Sequence, residues 1–176
     1  KVTRYHKGDT VFFTSGNSEW SLMDKGAFCN YDKNPAHGET YGHLYNWYAA
    51  SDAKGICPDG WHVPTDTEWQ KLIDNLGGDA TAGGKLKATG TIELGTGLWY
   101  KPNEKATNES GFTALPGGYR NAIGSFAQLS YNARFWSSSD TLTNGWYRDL
   151  SYKYADVERN PGNKADGYSI RCIKDE

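Results

Sequence analysis

The chain has one methionine and three cysteines in 176 residues, and no surplus of charge of one sign. Each shortage excludes something. The formal net charge of -2 gives no electrostatic basis for nucleic acid or an anionic membrane surface as the main partner. No apolar run approaches the ~20 residues that span a bilayer, so this stretch does not insert into a membrane. None of the cysteines forms a Cys-x-x-Cys pair, which argues against a zinc-ribbon site. There is no internal repeat and no linker, so residues 1–176 read as one domain. No signal peptide stands at the start. Lys1 is not a natural first residue, which leaves room for a removed leader.

What is abundant is glycine and aromatic side chain: 21 Gly, 7 Trp and 12 Tyr. With 37% hydrophobic and 23% charged residues the chain is globular rather than disordered. Glycine with Trp and Tyr points to a loop-rich fold whose irregular backbone is pinned by large rings. The cysteines are Cys29, Cys57 and Cys172, an odd number, so at least one is unpaired within the chain. A Cys57–Cys172 disulfide would tie the lead-in of the main helix to the last strand. Two buried thiols are the alternative, ranked just behind it.

The clearest element lies between Cys57 and Gly78. Thr65 is a good helix N-cap, and Glu68 three residues on completes a capping box. Asp66 and Glu68 place negative charge at the positive end of the helix, and Pro64 sharpens its start. Trp69, Leu72, Ile73 and Leu76 fall on one face, and Gly77-Gly78 closes the helix. The expected span is 66–76. A second, short helix is expected over 42–51, where Leu44, Trp47 and Tyr48 share a face and Ala49-Ala50 favours helix. Residues 1–20 read as irregular strand and turn. Residues 24–42 read as a polar loop anchored by Phe28 and Tyr31. After Gly78 the chain reads as a glycine-rich stretch plugged by Leu86 and Trp99. Gly124-Ser-Phe126 and Phe135-Trp136-Ser-Ser-Ser139 read as short strands, and Pro116-Gly117-Gly118 as a turn.

The last forty residues alternate. Trp146, Arg148, Leu150 and Tyr152 take one face of a strand; Tyr147, Asp149, Ser151 and Lys153 take the other. Val157 and Arg159 continue the first row, with Asp156, Glu158 and Asn160 facing the other way. Asn160-Pro-Gly-Asn163 reads as a turn, and 168–174 as a final strand with Ile170 and Cys172 on one side.

Several blocks carry a family resemblance. They are Tyr41-Gly-His-Leu-Tyr-Asn-Trp-Tyr-Ala-Ala50, Cys57-Pro-Asp-Gly-Trp-His-Val-Pro-Thr-Asp-Thr-Glu-Trp69, Asn108-Glu-Ser-Gly-Phe-Thr-Ala-Leu-Pro-Gly-Gly-Tyr-Arg120, Trp136-Ser-Ser and Gly167-Tyr-Ser-Ile-Arg-Cys172. In that order they resemble the Fibrobacter succinogenes major paralogous domain, over nearly the whole chain. The segment from Lys1 to Asp9 resembles the family's early part, so a few upstream residues are expected to be missing. Val63-Pro-Thr-Asp-Thr-Glu-Trp69 resembles a signature of the wider formylglycine-generating-enzyme type. The resemblance implies an α+β, C-type-lectin-like fold, with two helices packed on short antiparallel strands and long loops forming one face. It also implies a secreted or surface-exposed setting, bacterial or phage-encoded and often as a lipoprotein. Some proteins of this fold are variable proteins of diversity-generating retroelements, which diversify solvent-facing positions of a C-terminal segment on a fixed scaffold. Here Trp136, Trp146, Arg148, Leu150, Val157, Arg159, Lys164, Gly167, Arg171 and Cys172 match the positions the family pattern makes structural.

Chemistry is weighed against that background. The formylglycine-generating relatives need a pair of redox cysteines in the C-terminal region, and this chain has only Cys172 there. His6, His37, His43 and His62 are scattered without the spacing of a helical metal site, and His62 beside Trp61 reads as a packed or hydrogen-bonded residue. Ser137–Ser139 lack a nucleophile-elbow context. Lectin calcium loops pair Glu-Pro-Asn or Gln-Pro-Asp with Trp-Asn-Asp; this chain has Lys101-Pro-Asn-Glu104 and no Trp-Asn-Asp. A structural calcium is thus possible but not indicated, and no cofactor is expected. The expectation is a non-enzymatic, extracellular or surface-displayed recognition domain for a protein or glycan ligand. The expected binding face is Asp140, Leu142, Asn144, Tyr147, Asp149, Ser151, Tyr154, Asp156, Glu158 and Asn160, where Tyr supplies rigid contact area and Ser, Asn and Asp supply hydrogen bonds. The bland alternative is a solvated strand face in a structural or adhesion module. Trp61, Trp69, Trp136 and Trp146 are assigned to the core.

Overall fold

A computed structural model describes residues 2–176; Lys1, in the family-like opening segment, lies outside the described residues. The architecture is mixed α+β with few helices. A five-stranded sheet dominates, in the order β6 (Phe126–Leu129), β5 (Gly117–Arg120), β7 (Asn132–Asp140), β8 (Asn144–Ser151) and β9 (Glu158–Asn163). Its pairs are antiparallel except β5 with β7, which is parallel. The segment after Asp166 wedges in beside β7: Gly167 bridges Arg120, and Ser169 bridges Phe135. A three-stranded sheet joins β1 (Phe12–Phe13), β2 (Ala27–Cys29) and β3 (Leu44–Tyr45), and a small pair joins β4 (Trp61–His62) to β10 (Ile173–Lys174).

The main helix, α4 (Asp66–Asn75), forms as its sequence dictates. The Thr65 hydroxyl accepts from the N–H of Glu68, and the Glu68 carboxylate accepts from the N–H of Thr65, so two otherwise orphaned donors are satisfied. Trp69 and Ile73 are buried, and the Trp69 indole donates to the Trp136 carbonyl of β7 at 3.3 Å. The helix therefore lies on the sheet face that carries Phe135, with which Trp69 packs at 5.9 Å.

Several expectations need correction. Gly117 and Gly118, read as part of a turn, open β5, and the strand read at Gly124–Phe126 begins only at Phe126 as β6. The helix expected over 42–51 shrinks to α3 (Trp47–Ala50). Leu44 and Tyr45 pair with β2, and Asn46 becomes the cap, its side chain accepting from the N–H of Ala49. The polar loop of 24–42 contains β2 and α2 (Pro35–Tyr41), and the opening segment contains the short α1 (Asn17–Ser21). The glycine-rich stretch after Gly78 is helical as α5 (Asp79–Leu86), where the bare Gly83 lets the Asp156 carbonyl come close and Gly84 does the same for Lys105. Asn160-Pro-Gly-Asn163 is part of β9, an edge strand, where a proline loses no ladder hydrogen bond.

The core falls into three clusters, around Trp136, around Trp69 with Trp99, and around Trp20. Trp69 and Trp136 are core residues as expected. Trp61 keeps 45% of its surface exposed, because the two-stranded β4–β10 pair gives it little cover. Trp146 is half-buried, its ring capped by the Arg159 guanidinium at 3.4 Å. Cys57 and Cys172 are joined by a disulfide with Cα atoms 5.8 Å apart, and Cys29 is a buried free thiol. The final strand is shorter than expected: beyond the bridges at Tyr168 and Ser169, only Ile173–Lys174 is ladder.

Candidate functional site

The alternation read from Trp146 holds in β8 and extends across the sheet by register. Arg134, Asp149 and Glu158 stand opposite one another in one row, and Trp136, Tyr147 and Asn160 in the next. Asn132 and Ser151 begin a third row on the same face. The other face carries Phe135, Arg148 and Arg159 toward α4.

The expected face is not an open one throughout. Tyr147 and Asp149 are each only 8% exposed. The cover comes from outside the strand: the Tyr168 ring lies 4.6 Å from Tyr147, and Arg134 spreads over Tyr119, Tyr147 and Tyr168 at 4.0, 5.3 and 5.5 Å. Period-two alternation implies one covered face; here both are covered, by α4 and by these rings. The reading of Tyr147 and Asp149 as solvent-facing is therefore corrected.

The remaining positions separate into two ends. Asp140 ends β7, Asn144 begins β8 and Leu142 lies in the turn between them; Leu142 is fully exposed, and Asp140 accepts from the Lys164 ammonium at 2.6 Å. Ser151 ends β8, and Tyr154 and Asp156 follow in the β8–β9 connection, with Tyr154 58% exposed and Ser151 and Asp156 half-buried. At ~3.3 Å per residue, the eight residues of β8 hold those ends roughly 23 Å apart. Between them Glu158 is exposed and Asn160 half-buried, and the Asn160 amide donates to the Glu158 carboxylate at 3.1 Å.

What the structure brings together is a polar shelf floored by an ion pair. The Arg134 Nε donates to one Asp149 oxygen at 2.9 Å, and the Asn132 amide donates to the other at 2.8 Å. Burial pushes the Asp149 carboxyl upward, against the pull of Arg134 and Asn132. Burial also works against the Arg134 charge, but the Asp149 carboxylate outweighs it and holds the guanidinium firmly protonated. Among the described residues the Arg134 Nη atoms have no hydrogen-bond acceptor, and 18% of the side chain is exposed. The shelf thus offers guanidinium donors, amide groups, the Glu158 carboxylate and tyrosine rings: groups suited to holding a ligand by hydrogen bonds and stacking.

Asn132, Arg134, Tyr119 and Tyr168 were not among the site residues read from sequence. A signal for the first two exists: Asn132, Arg134 and Trp136 alternate with Ala133 and Phe135 just before a turn, which makes a hairpin partner for β8. Tyr119 and Tyr168 lie in blocks that carry the family resemblance, but nothing local brings them to this face.

Other chemical groups are occupied. His62 is hydrogen-bonded on both ring nitrogens, to Asp175 and Glu68. Ser137 Oγ exchanges local hydrogen bonds with Ser139, and Ser139 Oγ accepts from the N–H of Asp66. Asn103, in the lectin-like loop position, is buried and donates to the carbonyls of Ala88 and Gly90. Burial raises the Cys29 thiol to about 11, despite the nearby Arg120. Among the described residues no group of three or more His, Cys, Asp or Glu side chains is placed to hold a metal ion, and no helix is long and apolar enough to cross a membrane.

The family model described as the Fibrobacter succinogenes major domain matches residues 1–174. No curated protein and no solved structure matches the chain.

Proposed function

The chain belongs to the Fibrobacter succinogenes major domain family, and on that premise we propose that it is a non-catalytic recognition domain of C-type-lectin-like type, displayed outside the cell, that binds a protein or glycan on the face of β7, β8 and β9. The observation that carries the reading is the Arg134–Asp149 pair, fixed against three tyrosine rings and rimmed by Glu158, Asn160 and Ser151. A rigid floor with adaptable polar groups at its edge favours binding, because little side-chain entropy remains to be lost. The Cys57–Cys172 disulfide supports an oxidising, extracellular setting. It also leaves no free thiol near the C-terminus for an oxidase of the formylglycine-generating type. No cofactor is needed for this role.

The exposed and half-buried positions Asp140, Leu142, Asn144, Ser151, Tyr154, Asp156, Glu158 and Asn160 are those a diversity-generating system would vary without damaging the scaffold. Near-identical copies differing there and not at Tyr147 or Asp149 would support a variable protein.

The test is a glycan and surface-protein array probed with the wild-type domain and with a Ser151→Ala/Glu158→Ala/Asn160→Ala variant, which spares the buried floor. Hits lost in a folded variant support the shelf. Hits kept in full overturn it. An array with no hits favours the second reading, a structural or adhesion module of a larger surface protein.

A further inference from the structure

Beside β7, between Phe135 and the segment 169–172, lies a cavity of about 510 Å³. Its walls include Tyr41, His43, Trp61, Phe135, Ile170 and Arg171. The volume falls in the range of small-ligand sites, about 300–1,000 Å³.

Arg171 is the unusual member. Its Nη2 donates to the Thr113 carbonyl at 3.0 Å, and its guanidinium lies over Phe112 and Phe135 at 4.7 and 5.9 Å. Among the described residues no carboxylate pairs with it. Burial alone lowers its pKa, with no acid to offset the loss of water. The other strongly covered arginines are compensated: Arg134 by Asp149, Arg148 by Asp66, and Arg120 by a ring of backbone oxygens. Arg171 therefore presents a partly desolvated cation without a counter-charge at the wall of an open cavity. A planar guanidinium in that condition favours a carboxylate, which it can grip with two parallel hydrogen bonds.

The remaining walls narrow the choice. Trp61 is 45% exposed, an apolar plane at a ligand's disposal. Thr40, Ser169 and Tyr41 add hydroxyl groups. An aromatic plane, scattered hydroxyls and one cation match a ring with an apolar C–H face, several hydroxyls and a carboxylate. We propose that this cavity binds a uronic-acid sugar, with its carboxylate on Arg171 and its ring against Trp61. The site is separate from the β7–β9 shelf, since none of Arg134, Asp149, Glu158 and Asn160 lines it.

The experiment is a two-dimensional NMR titration of the ¹⁵N-labelled chain with methyl β-glucuronide, beside methyl β-glucoside, which differs by lacking the carboxylate. The glucuronide should shift the Trp61 indole signal and saturate at about 10-fold lower concentration or better than the glucoside. Arg171→Gln should remove that preference. Trp61→Ala, at an exposed site, should weaken glucuronide binding about 10-fold while leaving the fold intact, so the test stands even if the Arg171 variant fails to fold. A Glu158→Ala/Asn160→Ala shelf variant should bind the glucuronide as wild type does. The proposal is overturned if the glucuronide leaves the Trp61 signal unmoved, if both sugars bind equally, or if the shelf variant and not Trp61→Ala loses binding.

Discussion

The guanidinium of Arg148 lies 2.6 Å from the carboxylate of Asp66, a residue 82 positions earlier. Arg148 is fully buried in the middle of β8, and Asp66 is the first residue of α4. The same carboxylate accepts from the Arg159 Nε of β9 at 2.9 Å. One acid thus favours the N-terminal end of its own helix and clamps that end to two strands.

Asp66→Ala should therefore cost about 3–5 kcal/mol, because it strands a buried cation. The guanidinium would keep only the Asp66 carbonyl at 3.2 Å and the Gln70 side chain at 3.5 Å, both neutral, and its Nε already has no acceptor among the described residues. Arg159→Ala should cost about 1 kcal/mol or less, since that side chain is 42% exposed and its ion pair is screened. Chemical denaturation of the two variants checks the ordering. Equal losses would mean that the Asp66–Arg148 contact does not hold the helix.

A pH dependence follows from His62. Its Nδ1 lies 2.6 Å from Asp175 and its Nε2 2.9 Å from Glu68. A neutral imidazole has one N–H, so only the imidazolium satisfies both carboxylates. The hydrogen bonds to Asp175 and then to Glu68 raise its pKa. With the folded value above the unfolded one, near 6.5, the stabilisation is complete below about pH 6.5 and is lost as pH rises through the folded value. His62→Gln should flatten that decline. Thermal melts of both proteins across pH 5–9 test it. A wild-type curve that does not fall in this window, or an NMR titration of His62 below about pH 6.5, would refute the clamp.

The helix α4 was legible because everything that defines it is local: a cap, a carboxylate three residues on, and one apolar face. The β8 alternation was legible for the same reason. What failed depends on distant chain. Leu44 shares a helical period with Trp47 and Tyr48, yet it and Tyr45 pair with β2, so ladder hydrogen bonds override propensity. Gly83 and Gly84 look like loop until Asp156 and Lys105 are seen against them. Tyr147 and Asp149 look exposed until Tyr168 and Arg134 are laid over them. The candidate shelf was thus half legible: its rim lies in the alternating tail, and its cation and the Tyr119 ring do not.

The Cys57–Cys172 disulfide closes a loop with a sequence separation of 115 residues, so its removal should destabilise strongly. A chain-entropy account gives about 4.7 kcal/mol for a loop near that length, and removing such bonds typically costs about 2–5 kcal/mol. The paired Cys57→Ser/Cys172→Ser variant should melt well below wild type. It should lose hydrogen-exchange protection first in the β4–β10 pair, which the bond adjoins. Under non-reducing conditions the native protein should react with no thiol reagent, and the unfolded protein with one equivalent, because Cys29 is buried and its thiol pKa is raised. Two further reactive thiols in the native protein would show that the bond does not form.

Arg120 offers the sharpest test of how the opening segment is held. It is fully buried in β5, yet its contacts are oxygens without formal charge. Its Nε donates to the Gly124 carbonyl at 3.1 Å, its Nη1 to Thr14 at 3.1 Å, and its Nη2 to Gly16 at 3.0 Å and the Asn17 amide oxygen at 3.2 Å. The rings of Trp20 and Phe126 lie against the guanidinium at 4.6 and 4.9 Å. The carbonyls of 14–16 belong to the turn before α1, more than 100 residues away, so this side chain joins the start of the described chain to the main sheet. Arg120→Met would keep apolar bulk but leave several carbonyls unsatisfied, each worth about 1–3 kcal/mol, so a loss of at least about 3 kcal/mol is expected. Arg120→Lys keeps the charge but not the fork, and should recover only part of that. Hydrogen exchange separates a local anchor from a general core residue. If the anchor is real, Arg120→Lys should raise exchange across residues 12–29 while α4 keeps its protection. Uniform loosening of both regions would count against it.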